Sequence, residues 1–91
     1  MKLERLQFAV HPSVHNDWLK FEQDYWLPWL RQQPGFMNKQ INVSAGIATN
    51  TIWWKDKPSW DRAASKKEEI GALDLKMHQL FGSKVTRLRA F

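Results

Sequence analysis

The first ten residues alternate. Over residues 3–10, Leu6, Phe8 and Val10 fall on one side and Leu3, Arg5, Gln7 and Ala9 on the other, the two-residue period of a β-strand. His11-Pro12 ends it, because proline has no N–H to give a central ladder. The period then lengthens. Val14, Trp18, Phe21, Tyr25 and Trp29 recur at spacings of three and four, with Leu19, Trp26 and Leu30 widening the stripe. Lys20, Gln23, Asp24 and Arg31 stand opposite, so the segment predicts an amphipathic helix, with Ser13 or Asn16 as N-cap. Pro28 removes the bond to the Asp24 carbonyl and predicts either a kink between Trp26 and Trp29 or a converted last turn.

Gln33-Pro34-Gly35 stops the helix. A second strand is predicted over 36–45, with Met37, Ile41 and Val43 on one face, Lys39 interrupting them, and Asn38, Gln40, Asn42 and Ser44 on the other. Residues 46–50 predict a hairpin turn, and the strand after it carries Ile52 and Trp54 on one face and Trp53 on the other. A second helical region opens at 58–61 and is amphipathic through Trp60, Ala63, Ile70, Leu73, Met77 and Leu80, with a break near Ser65 and a stop at Gly82. The last strand spans 84–91, with Val85, Arg87, Arg89 and Phe91 on one side. The order is βαββαβ. Right-handed crossovers turn it into an α+β ferredoxin-like fold, a four-stranded antiparallel sheet with both helices on one face. Strands with apolar residues on both sides then need cover on the second face, and a second copy of the sheet supplies it as a homodimer.

Composition sharpens this picture. Ninety-one residues make one domain, 1–91, yet 43% are hydrophobic and six are Trp, more aromatic surface than one small monomer readily hides. A second subunit, a flat hydrophobic ligand, or both are implied. The chain has no Cys, which excludes a disulfide framework, a thiolate metal site and a Cys nucleophile. No continuous apolar run suggests a signal peptide or a membrane span, so the expected location is the cytoplasm. The net charge of +5 is scattered rather than blocked, which points to a solvated surface and away from nucleic acid. Lys84, Arg87 and Arg89 nevertheless form a basic strand able to hold an anion. His11 and His15 lie near Asp17, but Pro12 sets His11 outside the helix and no third ligand is specified, so no metal site is assigned. Glu22 and Asp24 are two apart on a helix and do not form a carboxylate pair.

The Pro34-Gly35-Phe36 turn, and Trp54 closing the third strand ahead of Ser59 and Trp60, resemble the dimeric α/β-barrel superfamily, which includes antibiotic-biosynthesis-type monooxygenases and haem-degrading relatives. More narrowly, Tyr25-Trp26-Leu27-Pro28 through Phe36, with Lys39, Trp54 and Trp60, is similar to a small family common in cyanobacteria. The resemblance implies a cavity between sheet and helices for a flat hydrophobic substrate or haem. It also implies chemistry without a dedicated organic cofactor, haem being the exception. In that scheme Trp54 matches the superfamily's strand-closing Trp, Asn38 is the candidate for a cavity Asn, and His78 stands where haem-binding relatives place an axial ligand.

Two readings of function remain open. In the first, Trp26, Trp29, Trp54 and Trp60 line an aromatic pocket, Asn38 or His78 hydrogen-bonds the ligand, and the protein is a binder or cofactor-independent monooxygenase acting on a flat aromatic molecule. In the second, the same rings are core and dimer contact in a non-catalytic interaction module. Convergence of Asn38, Asn42 and His78 on a void favours the first, and their exposure to water favours the second.

Overall fold

The computed structural model describes residues 1–90, the side chains of 89 and 90 excepted; the expectations placed on the Arg89 side chain and on Phe91 lie outside the described residues. The elements are β1 (Lys2–Val10), α1 (His15–Phe21), a π-helical turn (Glu22–Trp26), α2 (Leu27–Arg31), β2 (Phe36–Ser44), β3 (Ile47–Trp54), α3 (Lys57–Ala64), α4 (Lys67–Phe81) and β4 (Val85–Ala90). The strands lie in the order β2-β3-β1-β4, antiparallel at every pairing. This is the ferredoxin-like sheet that the alternating pattern predicts.

Both helical layers pack on one face of it. In one cluster Trp18 of α1 meets Phe8, Val10, Ala48 and Val85, with Met77 and Phe81 of α4 beside them. In the other, Leu30 of α2 and Ala63 of α3 meet Ile52 and Trp54. Leu6 touches both clusters.

Three local features differ from the sequence-based expectation. The hairpin turn is only Ala45-Gly46, with both residues at positive φ (51° and 78°), as the tightest hairpins of this twist require. Ile47 therefore already pairs with Ser44, and Asn50, expected in the turn, is buried in the middle of β3. His11 caps a short 3-10 turn, Pro12–Val14, that leads into α1, its Nδ1 accepting from the Ser13 N–H at 3.1 Å. The helix α1 itself starts from Val14 with no side-chain cap, so neither Ser13 nor Asn16 serves. At Pro28 the helix widens one turn early. The Leu27 N–H bonds to the Glu22 carbonyl, five residues back, and this π turn accommodates the proline's missing donor without ending the helix.

The second helical region breaks where expected, between Ala64 and Lys67. Asp56 caps α3, its Oδ1 accepting from the Ser59 N–H (2.9 Å) and Ser59 Oγ (2.6 Å). The Pro34-Gly35 turn rests directly on this cap. Gly35 has φ of +86°, and a Cβ there would stand 2.2 Å from Ser59 Oγ, so the position admits only glycine without movement of α3.

Candidate functional site

The inner face of the sheet decides which side chains meet. The β1–β3 register places Lys2, Glu4, Leu6 and Phe8 beside Trp54, Ile52, Asn50 and Ala48. On the other side of β3, Lys39 pairs with Ile52 and Ile41 with Asn50. A bulge at Met37 sets this alignment, because Phe36 pairs with Trp54 and Asn38 already with Trp53. Met37 is pushed out into solvent, and Lys39 points inward.

Above this face lies a cavity of about 230 Å³. Trp26 and Trp29 line it from the first helix, Trp54 from β3, and Trp60 from α3. Trp26 and Trp29 meet edge to face at 6.1 Å, and Phe36 packs edge-on against Trp54 at 5.9 Å. Two of the rings are held by their polar edges. Trp54 Nε1 donates to Glu4 Oε1 at 3.1 Å, and Trp29 Nε1 donates to Glu69 Oε1 at 3.0 Å, tying α2 to α4. Lys2 Nζ lies 4.5 Å from the Trp60 ring centre, a cation–π contact at the rim. Gln33, buried behind Trp29, donates to the Trp29 carbonyl (2.9 Å) and accepts from Lys66 Nζ (2.6 Å), which fixes α2 against the α3–α4 link.

The cavity also has a polar end. Glu22, Lys39 and Asn50 line it, with side-chain exposures of 3% and 5% for the two charged groups. Asn50 Nδ2 donates to Glu22 Oε1 at 2.5 Å, and Lys39 Nζ lies 3.4 Å from the same oxygen. Burial pushes the Glu22 carboxyl above its ordinary value, against the opposing pull of Lys39 and Asn50. Burial likewise pushes the Lys39 amine down, against the pull of Glu22. Each charge is costly to hold here alone, and the pair makes the site tolerable. Glu22 stands in the π turn, one helical turn from both Trp18 and Trp26, and the widened backbone carries both Glu22 and Trp26.

Of the residues proposed from sequence, Trp26, Trp29, Trp54 and Trp60 come together around the cavity. Asn38 and His78 do not join them. Asn38 is exposed on the outer side of β2, His78 is exposed on α4, and neither is among the lining residues. The Asn that lines the cavity is Asn50. Asn42 is exposed as well. Arg87 of the basic last strand lies 5.8 Å from the Phe8 ring and lines the cavity while remaining exposed; Lys84 is exposed and is not among the lining residues. No His lines the cavity, and no group of three His, Cys, Asp or Glu side chains able to hold a metal ion forms among the described residues.

Sequence inspection passed over Glu22, Lys39 and Asn50, although two of them left a trace. Lys39 interrupts the apolar side of β2. Glu22 sits four residues from Trp18 and from Trp26, inside the stripe that faces the sheet. Asn50 left none, because its place depended on where the hairpin turned.

No family model and no curated protein matches the chain by sequence. Solved structures with this fold do. The chain is similar to MupZ from Pseudomonas fluorescens at a TM-score of 0.70 and 11% identity, covering 97% of this chain and 62% of MupZ, so it spans less than two thirds of that protein. A conserved protein from Methanosarcina mazei Go1 matches at 0.67 and 12% identity over 98% of this chain and 88% of its own. A monooxygenase from the ActVA-Orf6 gene of Streptomyces coelicolor, solved in complex with the ligand Nanaomycin D, matches at 0.56 and 15% identity over 98% of this chain and 83% of its own. At such identities the likeness establishes the fold: α+β, ferredoxin-like, shared with structures of the antibiotic-biosynthesis-monooxygenase type.

Proposed function

We propose that this protein binds a flat, hydrophobic aromatic small molecule between sheet and helices and acts on it as a cofactor-independent monooxygenase-like enzyme. One observation carries the reading: four Trp side chains, from three separate elements, surround open space instead of filling it. The space of about 230 Å³ is a cleft partly open to solvent, concave and mostly apolar as small-molecule sites are. Its walls offer ring faces for stacking, and the polar end offers orientation. In the reaction, a substrate CH₂ flanked by aromatic rings becomes C=O. One atom of O₂ is retained, and the other leaves as water with the two hydrogens removed, so all four electrons come from the substrate. The residues' part is to hold the substrate flat, keep bulk water out, and hydrogen-bond its polar edge.

Haem does not fit this arrangement. No imidazole reaches the cavity, His78 faces solvent, and the space is below the usual range for drug-sized ligands.

We further propose that the outer face of the sheet pairs with a second copy. Leu3 and Leu88 are exposed there, with Ile47 and Trp53 half-buried beside them. Sedimentation equilibrium tests this directly, and a monomer at all concentrations would remove it. A second reading, a non-catalytic interaction module, is favoured by one finding: Asn38, Asn42 and His78 all face water.

Titration of tryptophan emission with a panel of flat quinones and naphthols separates the two readings. Saturable quenching, weakened about tenfold by Trp60→Phe, supports the pocket, and oxygen uptake with a flat aromatic compound that carries a ring-flanked CH₂ then tests catalysis. Linear, unsaturable traces across the panel leave the interaction module.

A further inference from the structure

The cavity's polar end is unbalanced. Glu22 Oε1 takes both available donors, the Asn50 amide and the Lys39 ammonium. Because a carboxylate only accepts, it dictates which way the Asn50 amide points: the NH₂ group goes toward Glu22 and the carbonyl oxygen away. Two acceptors are left over. Among the described residues, neither Glu22 Oε2 nor Asn50 Oδ1 has a hydrogen-bond partner, although the two residues are only 3% and 2% exposed. Buried acceptors without donors are rare and costly, so such a pair on one wall of a cavity calls for donors from within it. On the donor side, Lys39 is engaged by Glu22 at this end, while Trp60 Nε1, from α3 on another wall, is buried without a partner.

Resting on the reading that the cavity binds an aromatic molecule, we propose that its ligand carries two adjacent hydrogen-bond donors, O–H or N–H, on one edge of the ring system, received by Glu22 and Asn50. A vicinal aromatic diol or amino-alcohol satisfies both. The corresponding ortho-quinone presents two acceptors to these two acceptors, so its carbonyl edge is disfavoured at this end. Glu22 and Asn50 are thus specificity determinants, and the site favours the reduced over the oxidised form of such a ligand.

The charge around Glu22 makes the effect pH-dependent. It is faced by Lys39 from β2, Asn50 from β3 and Asp74 from α4, while Glu4 of β1 acts on Lys39 and Arg87 of β4 on Asp74. Its ionised form is the better acceptor. Donor-bearing ligands should therefore bind more tightly as pH rises through the elevated Glu22 titration, until the ligand itself ionises.

The test uses three probes of one skeleton under argon: 2,3-dihydroxynaphthalene, 2-naphthol and 2,3-dimethoxynaphthalene. Dissociation constants come from tryptophan quenching of the full chain. The diol should bind roughly tenfold or more tightly than the dimethoxy compound, with 2-naphthol between them. Glu22→Gln should erase most of that preference while leaving dimethoxy binding in place. Should Glu22→Gln fail to fold, the wild-type ratio and its pH profile decide. A rising diol affinity with a flat dimethoxy affinity supports the proposal. Equal affinities at every pH overturn it but leave aromatic binding intact, whereas failure of all three probes to saturate overturns the aromatic-binding reading as well.

Discussion

At one end of the sheet, Phe8, Val10, Ala48 and Val85 close around Trp18, which has no exposed surface. At the other, Leu30, Ile52, Trp54 and Ala63 line a cavity. Both ends use the same sheet face, the same two helical layers and the same kinds of ring. Phe8 and Trp18 meet at 5.7 Å, Phe21 and Phe81 at 5.9 Å, and the pairs at the open end meet at similar separations. What differs is the polar content. The open end contains Glu22, Lys39 and Asn50, which apolar side chains cannot cover without loss of free energy, and the π turn that sets Glu22 in place. The closed end is packed solid, whereas the open end leaves space beside its polar groups. A chain of this length buries too little surface to treat both alike.

The largest expected effect breaks the closed end. Trp18→Ala should destabilise the fold by about 4 kcal/mol, read as a fall in the urea midpoint at unchanged slope. A loss below about 1 kcal/mol would mean that this end is not the stabilising half.

Next, Lys39→Met leaves Glu22 buried without its counter-charge and should cost about 3 kcal/mol at alkaline pH. The sign follows from the raised folded-state titration of Glu22. Its contribution is present below the ordinary value of 4.5 and lost as pH rises through the elevated one. Removing Lys39 takes away a downward pull, so the alkaline loss grows and the defect shrinks in acid. A defect of the same size at pH 4 and pH 8 would refute the buried-pair account.

Gly35→Ala should cost about 2 kcal/mol, through its positive φ and the approach to Ser59, and should weaken ligand quenching because α3 carries Trp60. Unchanged denaturation would show that the turn yields freely.

The smallest effect is at the α3 cap. Hydrogen bonds from Ser59 hold the exposed Asp56 carboxyl below its ordinary value of 3.8, so the cap contributes above that pH and is lost as pH falls through the lowered value. Asp56→Ala should lower the thermal midpoint slightly near neutrality and converge with wild type in strong acid. Parallel curves at all pH values would assign the loss to something other than the carboxylate.

Much of this was legible without a structure. Alternation in residues 3–10, the three-and-four spacing from Val14 to Trp29, and the Pro34-Gly35 stop give the elements and their order, because a side chain's direction within a strand or helix is a local property. The four cavity tryptophans were legible for the same reason: each lies on the side of its element that faces the core. Where the reading failed, a single residue decided it. Ala45 gives no sign of accepting a positive φ, so the sequence places the turn too late and puts Asn50 in it. Met37 gives no sign of a bulge, so its own exposure to solvent is not visible in the sequence, whereas Lys39, which interrupts the apolar side of β2, does point inward.

Sequence by itself thus determined the fold, through periodicity and the proline and glycine stops. Only the tertiary structure decided the polar end of the site. Whether a Glu, a Lys and an Asn from a helix and two strands are buried together depends on register, bulge and the π turn at Pro28 acting at once. Each contact spans 17 to 28 residues of chain, and no local pattern encodes a distance of that kind.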